Sequence, residues 1–239
     1  SMFYHRVKSI GSTMATIAVL SAVATTAIAT GFTLYNGVEE NTYEAVGYDM
    51  YFYGGQEELL DDVYGAFEKH KVKIIEEYTT KRYICSPKIK PIIHNNLEFR
   101  FGEKDYFRVY SETVYNKLMS IARMGLKPVH VKPGEAMARI GYHSLNAKFG
   151  AAIEGKPINF SNLTLRFSSL LVEDISSFGA LYTLVLNDND FDTLLQSGDV
   201  VDVDQGGAPL DKVTVFKFEN PLKPKDLNTD LAGILSGNV

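Results

Sequence analysis

Thirty consecutive residues, Ser9 to Val38, carry no charged side chain. No other feature restricts the chain so severely, because a helix of about 20 apolar residues is what the bilayer core demands. The centre of the segment runs Thr13-Met-Ala-Thr-Ile-Ala-Val-Leu-Ser-Ala-Val-Ala-Thr-Thr-Ala-Ile-Ala-Thr-Gly-Phe-Thr-Leu-Tyr35 and holds no proline. Arg6 and Lys8 precede it, and Glu39 and Glu40 follow it. The positive-inside tendency then predicts a cytoplasmic flank over residues 1–11, a membrane helix over 12–36 and an extracellular region over 37–239. Ser1-Met2 reads as a cloning remnant. Two other readings fit the same residues. A signal peptide would cleave near Ala27-Ile-Ala29, although its apolar stretch is usually only ~7–15 residues. The third reading is a buried helix of a soluble protein.

The segment is rich in small side chains, and these recur every fourth residue. Ala18, Ala22, Thr26 and Thr30 form one row, with Ser21, Thr25, Ala29 and Thr33 beside it. In lipid, such rows let neighbouring backbones approach closely, so they are the predicted helix-packing face. A lone anchor has no need of such a face. The expectation is one helix of a bundle, in a chain that is a piece of something larger or that oligomerises.

Charge divides the chain at the same place. All 29 acidic residues lie at or beyond Glu39, where 22 basic residues leave a net charge of −7. That balance argues against a nucleic-acid protein, which needs a basic face. Keeping the domain soluble is the simplest role for the charge, and attraction of cationic ligands is a second. Cys85 is the sole cysteine, so an intrachain disulfide is impossible and the outer region must rely on its core.

That region predicts an α+β domain with a mixed sheet, divisible into lobes at 46–135 and 136–239. Tyr48–Tyr53 reads as a strand. Residues 57–70 then place Leu59, Leu60, Val63, Tyr64 and Phe67 on one helical face. Strands are expected at Val72–Tyr78, Arg82–Cys85, Leu97–Phe101, Tyr106–Tyr110, Val129–Val131, Leu163–Phe167, Tyr182–Leu186 and Val213–Phe218. Pro87 and Pro91 bound a predicted loop. Further helices are expected over Val114–Arg123, Phe191–Gln196 and Asp226–Leu235. There is no regular βαβ rhythm. One internal echo stands out: Val109–Leu118 aligns without gaps to Val185–Leu194. In both, a strand ends at Ser111 or Asn187, side chains suited to cap a helix, and an aromatic stands three residues before a leucine. The echo is either a duplication or a common strand–cap–helix pattern.

No motif carries catalysis. Gly150-Ala-Ala-Ile-Glu-Gly155-Lys156 has phosphate-loop spacing, but Pro157 replaces the required Ser or Thr and Glu154 would repel a phosphate. Asp188-Asn-Asp-Phe-Asp192 begins like a calcium loop, yet Thr193 stands where Gly belongs and Asp199 where Glu belongs. With Asp202 and Asp204, these carboxylates read as solvated turns. His5, His70, His94, His130 and His143 are scattered, and Cys85 has no catalytic signature. The expectation is no catalytic residue, no metal and no cofactor.

Three phrases are similar to one family: Phe67-Glu-Lys-His-Lys-Val-Lys-Ile74, Val109-Tyr-Ser-Glu-Thr-Val-Tyr-Asn-Lys-Leu118 and Gly125-Leu-Lys-Pro-Val-His-Val-Lys-Pro-Gly-Glu135. With the span before them they resemble the FtsX-like ABC permeases, best the Bce type concerned with bacitracin and other antimicrobial peptides. The likeness covers roughly residues 3–135 and thins afterwards. It implies an extracellular sensor or substrate-binding domain beside one of ten spans, bound to the other spans and to a separate ATP-hydrolysing subunit. It also implies a membrane histidine kinase as signalling partner, and antimicrobial peptides or their lipid-carrier complexes as ligands. Nine spans are missing, so transport would need parts beyond this chain, and the resemblance places no ligand contact. The alternatives are a singly anchored or secreted peptide- or lipid-binding module, and a surface enzyme.

Overall fold

The computed structural model describes residues 47–239, apart from 54–56, 95–96, 102–105, 124–126, 141–149, 151, 172–181, 203, 206–207, 210–211, 221–224 and 237–239. The predicted membrane helix and its packing face lie outside the described residues. Among those described, no helix is long and apolar enough to cross a membrane.

The chain enters through β1 (Met50–Tyr53), α1 (Glu57–Lys69) and β2 (Ile74–Lys81). In α1 the expected stripe turns inward: Val63 and Phe67 are buried, and Leu59, Leu60 and Tyr64 pack beside them. The helix closes at Lys71, which takes the left-handed conformation at φ 53° while the Val72 amide returns to the Phe67 carbonyl at 2.8 Å. Near the C-terminus, β15 (Lys212–Phe218) inserts between β1 and β2, antiparallel to both, and α4 (Lys225–Ser236) packs with α1. Phe67 meets Phe216 and Phe218 edge-on, with centroids 5.4 and 5.2 Å apart, and Leu227 and Leu231 complete this core.

From β2 the chain passes straight into a second, eight-stranded sheet. Its members are β3 (Tyr83–Cys85), β4 (Lys88–Ile89), β7 (Phe107–Ser111), β8 (Glu135–Ile140), β9 (Pro157–Asn159), β10 (Thr164–Leu170), β11 (Tyr182–Leu186) and β12 (Val200–Asp202). Their spatial order is β12-β3-β7-β11-β8-β10-β9-β4. β7 and β11 are parallel, as are β8 and β10, and the remaining pairs are antiparallel. The mixed α+β architecture expected from the irregular rhythm is the one observed. Two smaller antiparallel pairs stand apart from the large sheet, β5 (Ile92–His94) with β6 (Leu97–Phe99) and β13 (Asp204–Gln205) with β14 (Ala208–Pro209).

Alternation divides the large sheet into two faces. Phe107, Val109, Leu184, Leu186, Ala136 and Ala138 point into one core, which α3 (Asp188–Gln196) closes with Phe191 and Leu194. Tyr110, Val185 and Met137 point the other way, under α2 (Glu112–Ile121). The inner side of α2, with Tyr115, Leu118, Met119 and Ile121, also packs on Val213 and Val215 of the small sheet. This one helix therefore glues the two sheets. A buried ion pair secures the entry to the fold: Arg123 grips Asp49 with two bonds of 2.5 Å, while the Phe218 amide donates to the same carboxylate at 2.7 Å.

Two expectations differ from the structure. Residues 129–131 are not a strand, although Val-His-Val alternates. The Asn116 side chain takes both the Val129 amide (2.8 Å) and its carbonyl (2.9 Å), a side-chain mimic of a strand partner. The neighbouring strand is β8, whose Ala-rich inner face hides its alternation. Between Pro87 and Pro91 the chain is not a simple loop, because Lys88-Ile89 pairs with Asn159-Ile158 as the edge of the large sheet.

Candidate functional site

The repeated segments converge where β7 and β11 end side by side. Ser111 caps α2, its Oγ accepting from the Val114 amide at 3.3 Å, and Asn187 caps α3, accepting from the Asn189 amide at 3.2 Å. Aligned residues play matching parts: Tyr115 and Phe191 are buried, as are Leu118 and Leu194. The two helices nonetheless lie on opposite faces of the sheet. The echo is thus real as a pair of strand–cap–helix units laid in parallel.

The carboxylates of the suspected calcium loop stitch this junction together. Asp188 accepts from the Thr113 amide (3.0 Å) and hydroxyl (2.6 Å). Asp190 accepts from the Gly134 amide at 2.7 Å. Glu112 takes His130 Nδ1 at 3.0 Å and the Val131 amide at 2.7 Å, and Asn187 donates to the Val131 carbonyl at 3.2 Å. Residues 130–134 are therefore strapped across both helix starts. Burial pushes the Asp188 carboxyl up, but the bonds from Thr113 and Ser111 outweigh that and hold it below the usual 3.8. Among the described residues no group of three His, Cys, Asp or Glu is placed to hold a metal.

The remaining candidates disperse. Gly155 turns at φ 74°, and the amides of Glu154, Gly155 and Lys156 donate to the carbonyls of Gly150, Phe167 and Ile153, so they are spent inside the chain. Asp199 is bound by the Ser161 amide and hydroxyl at 2.6 Å each, Asp202 lies on β12 and Asp204 on β13. His70 meets Asp230 at 2.9 Å, His94 lies on β5, and His5 and His143 are outside the described residues. Cys85 is buried, which pushes its thiol far above the ordinary range, and Asp199 adds to the shift.

One concavity among the described residues has no clear signal in the sequence. At the β4 edge, Ser86, Pro87, Lys88, Ile89, Lys90, Phe101 and Asn159 line an open groove of about 640 Å³. Its floor is apolar and held from behind. Phe101 packs against Phe107 and Tyr182 at 5.5 and 5.6 Å, and Ile89 leans on the core between the strands. Asn159 fixes the rim by donating to the Lys88 carbonyl at 3.2 Å. The field of Asp199 reaches Lys88, whereas Lys90 has no acidic partner among the described residues. Prolines on both flanks keep this edge from pairing with another strand. The available signal was Lys-Ile-Lys between two prolines, a pattern that equally describes a solvated loop. A smaller hollow of about 400 Å³ lies between α1 and α4, beside the 2.6 Å Lys69–Asp230 pair.

No protein-family model matches the chain, and no curated protein matches it. Solved structures that match the chain, all at low identity, include three extracytoplasmic or membrane-associated proteins. One is a protein named as a lipoprotein from Bacillus anthracis, 12% identical, covering 77% of this chain and 89% of that one at a TM-score of 0.37. Another is the periplasmic region of MacB from Actinobacillus actinomycetemcomitans, 14% identical, covering 80% and 86% at 0.30. The third is a domain of a protein named as a permease from Porphyromonas gingivalis, 12% identical, covering 73% and 69% at 0.29. At these TM-scores no ligand contact transfers to a residue of this chain.

Proposed function

We propose that this chain is the extracellular ligand-binding domain of an ABC permease of the Bce type, with one flanking membrane helix. ATP hydrolysis then belongs to a separate subunit, and transport to the spans beyond this chain. The charge-free segment 9–38 and the acid-rich remainder support the topology. Two of the three phrases similar to that family, 109–118 and 125–135, contribute jointly to the strapped junction of α2 and α3, which is what a shared structural module would require.

The observation that carries the binding role is the groove at β4. An apolar floor with Lys88 and Lys90 at its rim suits an amphiphile bearing an anionic group, such as an antimicrobial peptide joined to its lipid carrier. The net −7 of the surrounding chain would draw the cationic part of such a complex towards the domain. The test is binding of bacitracin, a nisin-like peptide and their undecaprenyl-lipid complexes to the full chain in detergent. Complexes should bind more tightly than free peptide, and Lys90→Glu should weaken them roughly tenfold. Equal binding by the variant would remove the groove from the account. No binding of any probe would leave a signalling or structural role.

A further inference from the structure

The edge strand β4 presents free main chain in one direction, and the hydrogen bonds behind it fix which residue does so. Beside β9, the Lys156 carbonyl accepts from the Phe167 amide at 3.0 Å, and the Phe160 amide donates to the Leu163 carbonyl at 2.8 Å. Ile158 pairs with Leu165 between them, so these three residues turn their main-chain groups towards β10. Main-chain groups alternate in direction along an antiparallel strand, so those of Asn159 turn towards β4. There Asn159 is the partner of Lys88, and its side chain also donates to the Lys88 carbonyl at 3.2 Å. The main chain of Lys88 is thus spent on β9. That of Ile89, the next residue, points to the free edge of the sheet. Neither its N–H nor its C=O has a partner among the described residues.

The groove follows this edge, because Lys88 and Ile89 point to opposite faces and yet both line it. Pro87 and Pro91 stand two residues to either side of Ile89 and have no N–H. They bar a full strand and leave Ile89 as the one position where main chain can meet main chain. A residue placed opposite Ile89 shares its face, where Phe101 packs against the same core as Ile89. The residues before and after it share the face of Lys88 and Lys90, which are both exposed. We infer that the groove takes an extended peptide in which an apolar residue stands between two acidic ones. The apolar residue exchanges two main-chain hydrogen bonds with Ile89 and lies on Phe101, and its acidic neighbours meet Lys88 and Lys90. Asp199 already offsets part of the charge on Lys88, so Lys90 carries more of this recognition. The inference rests on the reading of the β4 groove as a binding site and narrows its occupant.

The probe is the acetylated and amidated pentapeptide Ala-Asp-Leu-Asp-Ala, titrated into the full chain in detergent. Methylating the leucine nitrogen removes the N–H that faces Ile89 and should weaken binding at least tenfold. The two aspartate nitrogens face away, so methylating either should change affinity less than twofold. Lys90→Gln should weaken the parent peptide several-fold and leave its Ala-Asn-Leu-Asn-Ala counterpart unchanged. No binding of the pentapeptide, or equal loss from methylation at all three nitrogens, would overturn the inference. If the peptide–lipid complexes bind with dependence on Lys90 while the pentapeptide does not bind, the acidic-peptide reading falls and the groove's binding role stands. If complexes and pentapeptide bind alike without regard to Lys90, both readings fall.

Discussion

Single side chains set the sharpest expectations. The Asp49 side chain is 0% exposed and lies under Arg123, so removing the arginine leaves a buried carboxylate without its ion-pair partner. Arg123→Ala is expected to cost about 3–5 kcal/mol in chemical denaturation. Asp188 gives a pH signature. Its carboxyl is held below the usual 3.8, so its stabilisation is fully present above that value and fades as the pH falls through the lowered folded value. Asp188→Asn should therefore lower the melting temperature at neutral pH, and its gap from the parent should shrink well below pH 3.8. A gap that stays constant would assign the loss to shape and not charge. None of these roles was visible in the sequence, where Asp188 and Asp190 looked like solvated or calcium-loop carboxylates. Their partners, Thr113 and Gly134, are 75 and 56 residues distant, and local spacing carries no information about such contacts.

At the scale of elements, the sequence was most legible where periodicity and capping agreed. The stripe of α1, the whole of β11 and the matched starts of α2 and α3 all follow from patterns within ten or fifteen residues. It misled where one side chain or one neighbour decided the outcome. Asn116 turned Val129–Val131 away from pairing, and a two-residue strand at Lys88 exists only because β9 lies beside it. The helix α2 tests how the sheets are joined. Leu118 is fully buried between them, so Leu118→Ala should cost about 2–5 kcal/mol in a single cooperative transition. Ser111→Ala, which removes the α2 cap, should cost only about 1 kcal/mol. If Leu118→Ala separated two transitions, the helix would be a clip between units that fold alone.

For the molecule as a whole, the proposal to test is its placement: a mixed-sheet domain with a lysine-rimmed groove, held outside the cell by the segment 9–38. The charge pattern supplied that claim, while the groove came from the tertiary packing of Phe101 and Ile89 behind an edge strand. The most direct measurement is labelling of intact cells with a membrane-impermeant maleimide. Native Cys85 is buried with its thiol pushed up, so it should stay unlabelled and leave a clean background. Ile93 is 73% exposed, so Ile93→Cys offers a reactive reporter on the domain surface. With the domain outside the cell, Ile93→Cys is expected to be labelled without permeabilisation and the parent is not. Labelling that appears only after the membrane is opened would contradict that placement.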